Sequence, residues 1–318
     1  MNFESDIIRL KNSIDTALNN IYDSGPNIIR EPIYHILSGG KRIRPILCLI
    51  TSLALSGNIK TSLDAAVAIE LLHNFTLIHD DIMDNDELRH GNVTIHKKWD
   101  ESIAILSGDA MLAIALVKLG KIDNKYQSIV NNKFNKALIE VCEGQALDLE
   151  FQNKDIVSKE DYLSMIDKKT AYMIGLSSEI GAVLANADKS VQNKLRYYGM
   201  SIGRAFQIQD DLLEVISDKD KMGKTLKSDF LLNKKTYLNI QAQLVDSNKV
   251  NEYINIAQEK FDVGFNLYKK FLEDNNIINN TKKVIDDTLM LADSILDDIN
   301  MDKEYLYKYT QLILKRKS

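Results

Sequence analysis

Leu71-Leu72-His73-Asn74-Phe75-Thr76-Leu77-Ile78-His79-Asp80-Asp81-Ile82-Met83-Asp84 is an apolar, helix-compatible run that ends in three carboxylates. On a helix, positions i and i+4 share a face one turn apart, so Asp80 and Asp84 aim the same way. A second apolar stretch, Ala205-Phe206-Gln207-Ile208, leads into Asp210-Asp211-Leu212-Leu213-Glu214, with acidic groups at the same spacing. Two such helices facing each other would line a cavity with carboxylates. Unpaired, that much negative charge in a low-dielectric pocket is very unfavourable. Divalent cations answer it, and carboxylates, water and phosphate oxygens are common Mg²⁺ ligands. The two clusters therefore point to Mg²⁺-dependent chemistry on a phosphorylated substrate.

The rest of the chain reads as helical. Of 318 residues only three are proline, Pro26, Pro32 and Pro45, so everything after Pro45 lacks the residue most costly inside a helix. The patterning predicts helices over 3–22, 46–56, 62–86, 101–119, 124–150, 159–187, 190–217, 235–245, 249–273, 280–298 and 302–316. Polar loops are expected at 87–98 and 219–234. The fold class is all-α, with no domain boundary in evidence. A net charge of −5 argues against a nucleic-acid partner. Cys48 and Cys142 sit in apolar helical contexts and read as reduced core residues. The first residues, Met1–Asp6, lack the basic and apolar regions of a signal peptide, so none is expected. The most apolar run, Ile103–Leu119, is interrupted by Ser107, Gly108 and Asp109, so no membrane span is expected. A cytoplasmic location is the simplest expectation.

A single acidic cluster is a weak signal, because acidic runs are usually solvated faces. Here the apolar context works against that reading, since carboxylates at the inner ends of buried helices need partners. Cations stand where a diphosphate would want them: Lys41, Arg42 and Arg44 at a glycine-rich turn, Arg89 and His90 after the first cluster, Lys168 and Lys169 before Thr170, and Lys224, Lys234 and Lys235 after the second cluster. Each alone reads as a surface charge. Together they suit two phosphate-bearing substrates, one bound through metal and one directly.

Several ordered motifs now carry a resemblance. They are Gly39-Gly40-Lys41-Arg42-Ile43-Arg44-Pro45, His73 with the first cluster and Arg89, Gly144-Gln145-Ala146-Leu147-Asp148, Lys169-Thr170, Phe206-Gln207-Ile208-Gln209-Asp210-Asp211, and Gly223-Lys224 with Asn233-Lys234. In these, nearly end to end, the chain resembles the trans-isoprenyl diphosphate synthases of the farnesyl and geranylgeranyl type. The resemblance implies one domain over 1–318, a helical bundle around a central cavity, and a homodimer. It implies that Lys41, Arg44 and His73 bind isopentenyl diphosphate without metal. It implies that Asp80, Asp84 and Asp210 hold Mg²⁺, three ions bridging an allylic diphosphate, with Asp81, Asp211 and Glu214 in support. Arg89, Lys169 and Lys224 match positions that grip the allylic diphosphate, and Lys234 one that neutralises the leaving group. Gln207, Thr170 and the Lys169 carbonyl match positions that stabilise an allylic cation. Gln145 and Asp148 match positions near the metals.

The pattern is also broken in places. His90 stands where the family usually has a second arginine for isopentenyl diphosphate, and a histidine cannot make a bidentate fork. Glu214 replaces an aspartate, and Lys227-Ser228 replaces a glycine pair before Asp229. In the family, bulk at Phe75 and Thr76 sets product length. Helix geometry puts Thr76 beneath Asp80 and turns Phe75 away; one large residue here implies a C15 or C20 product. Two rival readings are weighed. A non-catalytic partner subunit would lack an aspartate cluster or the substrate cations. A terpene cyclase would lack the metal-free site at Lys41, Arg44 and His73.

Overall fold

A computed structural model describes residues 3–216, 230–231 and 233–314. Helices follow one another as α1 (Phe3–Asn19), α2 (Asn27–Leu37), α3 (Ile43–Ala54) and α4 (Ile59–Met83). A hairpin of β1 (Leu88–Arg89) and β2 (Asn92–Val93) and a short α5 (Ile95–Lys98) come next. Then come α6 (Glu101–Leu119), α7 (Asn124–Gln152), α8 (Lys159–Ile166), a π-helical turn (Asp167–Ala171), α9 (Tyr172–Leu184) and α10 (Lys189–Ile216). The described chain ends with α11 (Tyr237–Glu259), α12 (Phe261–Asp274), α13 (Ile277–Asp297) and α14 (Glu304–Leu314).

The bundle is built around α9. Apart from Ser177, Ser178 and Glu179 its sequence is apolar, and every residue from Tyr172 to Leu184 is buried, as expected of a helix enclosed on all sides. It packs against α3, α4, α7 and α10. The apolar interior forms two clusters, and α10 runs through both: Leu195, Tyr198 and Ile202 belong to one, Ala205, Ile208 and Leu212 to the other. Capping follows the local sequence. Asn58 accepts from the Lys60 N–H to start α4, Asp100 from Ile103 to start α6, and Ser158 from Asp161 to start α8.

The all-helical expectation holds, with local departures. The helix expected over 159–187 is interrupted by the π turn at Asp167–Ala171. The helix expected over 249–273 is divided at Lys260, whereas the break expected between 245 and 249 is present as a kink at Asp246 within α11. The loop at 87–98 contains the hairpin and α5. A helix absent from the predicted set, α2, also forms, with Pro32 inside it. Cys48 is buried, but Cys142 is exposed, contrary to its reading as a core residue. By length and composition, α6 is apolar enough to cross a membrane. One side of it (Ala104, Ser107, Gly108, Met111, Ala115 and Leu119) is buried, and α4 is its main packing partner.

Candidate active site

The second acidic cluster lies in the last two described turns of α10, and the first in the last turn and C-cap of α4, a turn that carries no basic residue. The unsatisfied carbonyls there already make the helix end negative. Burial adds to the cost: it pushes the Asp80 carboxyl up to about 6, opposed by Lys169 and Arg89 and assisted by Asp84 and Asp148. Asp84 has a buried oxygen, Oδ1, with no hydrogen-bond partner. The site is thus short of positive charge at Asp80 and Asp84.

Asp81 is employed differently. One position along a helix turns a side chain by about 100°, so Asp81 faces the protein. Arg89 Nε donates to its Oδ1 at 2.7 Å, and Arg89 Nη2 donates to Asp86 Oδ2 at 2.9 Å. Burial still raises Asp81 to about 6, with Arg89 pulling the other way. The hairpin delivers Arg89. Its two-residue loop, His90-Gly91, has φ of 51° and 81°, the positive pair that matches strand twist in the tightest hairpins. Glycine adopts this freely, and histidine is among the few other residues enriched there.

The second half of the site is organised by the π turn. Lys169 Nζ donates to Asp148 Oδ2 at 2.5 Å. Thr170 Oγ1 donates to Gln207 Oε1 at 3.0 Å, and Gln207 Nε2 donates to Asp211 Oδ1 at 3.1 Å. A cleft is lined by Asp148, Lys169, Thr170, Gln207, Asp211 and Lys234, among others. Lys169 lines this cleft and also acts on Asp80, so it links the two acidic helices. A π turn often marks a functional site, and here it is pressed between two helices. A Cβ on Gly144 of α7 would lie 2.3 Å from the Lys169 nitrogen, and one on Gly203 of α10 would lie 2.5 Å from Ala171 Cα.

A third group of cations stands at the start of α3. Arg44 Nη1 lies 3.0 Å from His73 Nε2. Burial, followed by Arg44, His90, Arg89 and Arg42, drives the His73 ring well below its ordinary pKa. His73 is therefore neutral, with Nε2 accepting from Arg44. Lys41 is exposed beside them, and His90 packs against Gly39. Arg42 does not join this group. It is buried and donates to Asp15 Oδ1 at 2.8 Å, to Glu70 Oε1 at 2.8 Å and to the Leu37 carbonyl. It anchors the turn instead.

Lys168 likewise turns outward, to Glu140 at 2.7 Å and Glu143 at 2.5 Å. Lys234 and Glu214 line a neighbouring recess with Phe230 and Tyr268, and Asp210 is half-buried on α10. Phe75 and Thr76 are both buried. Phe75 meets the His79 ring in a tilted contact, 4.5 Å between centroids, while Thr76 Oγ1 donates to the His73 carbonyl at 2.8 Å. Lys224, Gly223 and the Lys227-Ser228 departure lie outside the described residues. Sequence reasoning missed Asp86 and Tyr162. Asp86 had a local signal, three positions before Arg89; Tyr162 had none.

Among the described residues no three histidine, cysteine or acidic side chains gather closely enough to hold a metal by themselves. A cation here needs further oxygen ligands from water or a bound phosphate, which is the usual Mg²⁺ arrangement. The orphaned Asp84 oxygen and the burial-strained Asp80 fit such an ion.

Known proteins share this architecture. The sequence pattern named polyprenyl synthetase matches residues 26–268. A short chain isoprenyl diphosphate synthase of Methanocaldococcus jannaschii is 41% identical over 262 residues, 82% of this chain and 79% of that protein. A crystal structure of a geranylgeranyl pyrophosphate synthase superposes with a TM-score of 0.92 at 33% identity, covering 98% of this chain and 99% of that one. The geranylgeranyl pyrophosphate synthetase of Pyrococcus horikoshii superposes at 0.89 with 30% identity, covering 99% and 98%. On sequence and fold together, the chain belongs to the polyprenyl synthetase family.

Proposed function

We propose that the chain is a short-chain trans-prenyltransferase. It joins isopentenyl diphosphate to an allylic diphosphate, releases pyrophosphate and yields a C15 or C20 diphosphate. The observation that carries this reading is the position of Lys169. It pairs with Asp148, acts on Asp80 across the site, and lines one cleft with Gln207, Asp211 and Lys234. Carboxylates from three helices, α4, α7 and α10, thereby converge on cations between them.

Asp80 and Asp84 from α4 and Asp210 from α10 would hold Mg²⁺, three ions in all, against the allylic diphosphate. Bound there, Mg²⁺ would neutralise charge developing on the departing pyrophosphate. Lys169, Lys234 and Lys224 add direct charge-assisted hydrogen bonds, and Arg89 joins them from its seat on Asp81. Asp81 and Asp211 support the site by holding Arg89 and Gln207, and Glu214 adds charge beside Lys234. Gln207 Oε1, Thr170 Oγ1 and the Lys169 carbonyl offer oxygen to the allylic cation, and apolar walls keep water from quenching it. Lys41, Arg44, His73 and His90 bind isopentenyl diphosphate without metal. The double bond attacks the cation, and the proton leaves to pyrophosphate. We also assign the whole chain to one functional domain and to a homodimer. Ile105, Leu106, Leu116 and Val117 of α6 and Ile139 of α7 leave apolar surface exposed, which a second copy would cover.

Two expected results follow from residues at the rim and floor. His90→Arg should lower the KM for isopentenyl diphosphate roughly threefold to tenfold by restoring a full charge and a fork. An unchanged KM would remove His90 from the isopentenyl site. Phe75→Ala should lengthen the product beyond that of the parent, at a stability cost of about 3–5 kcal/mol for truncating a buried aromatic. Mass spectrometry of the dephosphorylated products checks it, and an unaltered product would exclude Phe75 from length control.

A further inference from the structure

Asp211 accepts three hydrogen bonds from three different residues. Tyr162, 2% exposed on α8, donates its hydroxyl to Asp211 Oδ2 at 2.6 Å. The Tyr237 N–H, at the start of α11, donates to the same oxygen at 2.7 Å. Asp211 Oδ1 accepts from Gln207 Nε2 at 3.1 Å, and Gln207 Oε1 accepts from Thr170 at 3.0 Å.

An amide can lie either way round in a shape that fits it, and only its partners decide which. Turned over, Gln207 would set its oxygen against the Asp211 carboxylate, two acceptors facing each other. Asp211 therefore fixes the hand of the Gln207 amide. Tyr162 and the Tyr237 N–H fix Asp211 in turn, each from a different helix.

We infer that Tyr162 and Asp211 are positioning residues that hold the Gln207 carbonyl oxygen, rather than its NH₂, toward the reacting carbon. This rests on the proposed reading that Gln207 and Thr170 border the allylic cation. The orientation matters because the two ends of an amide have opposite effects. An oxygen 3 Å from a developing cation stabilises it, and an N–H donor in the same place repels it. Tyr162 touches no reacting atom; its role is to leave Asp211 no freedom to rotate. A buried tyrosine that only satisfied its own hydroxyl would affect stability and leave the cation alone.

Tyr162→Phe and Asp211→Asn test this in the full-length protein with Mg²⁺. Tyr162→Phe should lower kcat roughly threefold to tenfold, with both KM values within about twofold of the parent. Asp211→Asn keeps the shape but can donate to the glutamine oxygen, so it should lower kcat by about 100-fold. Two unreactive allylic analogues separate positioning from general damage. An ammonium diphosphate, which mimics the cation, should bind more weakly to each variant in proportion to its loss of kcat. An allylic thiolodiphosphate, which carries no positive charge, should bind as before. Unchanged kcat in both variants, or equal weakening of both analogues, overturns the inference. If Tyr162→Phe does not fold, Asp211→Asn alone decides between these results. Failure of the unaltered chain to form any prenyl product overturns both this inference and the proposed function, whereas an aberrant analogue pattern in an active enzyme overturns the inference alone.

Discussion

Asp80→Asn should abolish most activity while making the metal-free protein more stable. The substitution keeps shape and removes one charge. If Asp80 holds Mg²⁺ against the leaving diphosphate, kcat/KM should fall about 10³-fold or more, roughly 4 kcal/mol of transition-state stabilisation. Stability should move the other way, because burial raises this carboxyl from 3.8 to about 6. A carboxyl raised on folding binds more protons in the native state between about pH 4 and pH 6. Stability therefore falls as pH rises through that window, and the penalty is complete above it. The asparagine variant lacks its share of this penalty, so its metal-free melting temperature at pH 7 should exceed the parent's. Mg²⁺ binding needs the ionised form, so in the parent the apparent Mg²⁺ affinity should climb as pH rises through about 6. Thermal melts with and without Mg²⁺ and pyrophosphate, at pH 5 and pH 7.5, read the stability and Mg²⁺ effects, and steady-state kinetics read the loss of kcat/KM. A variant that loses activity and also loses stability would place Asp80 in the structure rather than at a metal.

Gly144→Ala should disable the enzyme without touching a charged group. The added methyl would meet backbone, not a flexible side chain: the Lys169 nitrogen at 2.3 Å, its Cα at 2.7 Å and the Lys168 carbonyl carbon at 2.8 Å. Overpacking of this kind costs about 1–3 kcal/mol, and relief requires the π turn to retreat from α7. Retreat is restricted, because Gly203 holds α10 against Ala171 on the opposite side. Lys169 and Thr170 must then shift together. A displacement near 1 Å at positioning groups costs about 100-fold in rate, so kcat should drop by that order. Normal kcat with a lowered melting temperature would show that the turn repacks without consequence for chemistry.

The acidic helices were legible because their signal is local. Spacing at i and i+4 inside apolar runs needs only the helix itself to orient Asp80 with Asp84. The same geometry explains Asp81, turned about 100° away and given to Arg89. The cations were harder to read. Lys41, Arg42 and Arg44 look alike in sequence, yet Arg42 is committed to Asp15 and Glu70, 27 and 28 positions away. Lys168 and Lys169 are adjacent, yet one faces Glu140 and Glu143 and the other Asp148. Those assignments depend on tertiary neighbours. So does the π turn, which replaced an uninterrupted helix over 159–187 because α7 and α10 close on it from two sides. Tyr162 was invisible for the same reason, with Asp211 49 positions along the chain. His90 was noticed as an odd residue at a substrate position. That it also satisfies a left-handed hairpin turn emerged only from the backbone.

The most direct test incubates the purified chain with isopentenyl diphosphate and C5, C10 or C15 allylic diphosphates, with and without Mg²⁺. Products are dephosphorylated and sized by mass spectrometry. Short-chain prenyltransferase activity predicts elongation that requires Mg²⁺ and stops at C15 or C20. Absence of elongation from every primer, in protein that is folded and supplied with Mg²⁺, would contradict it and favour a non-catalytic partner subunit.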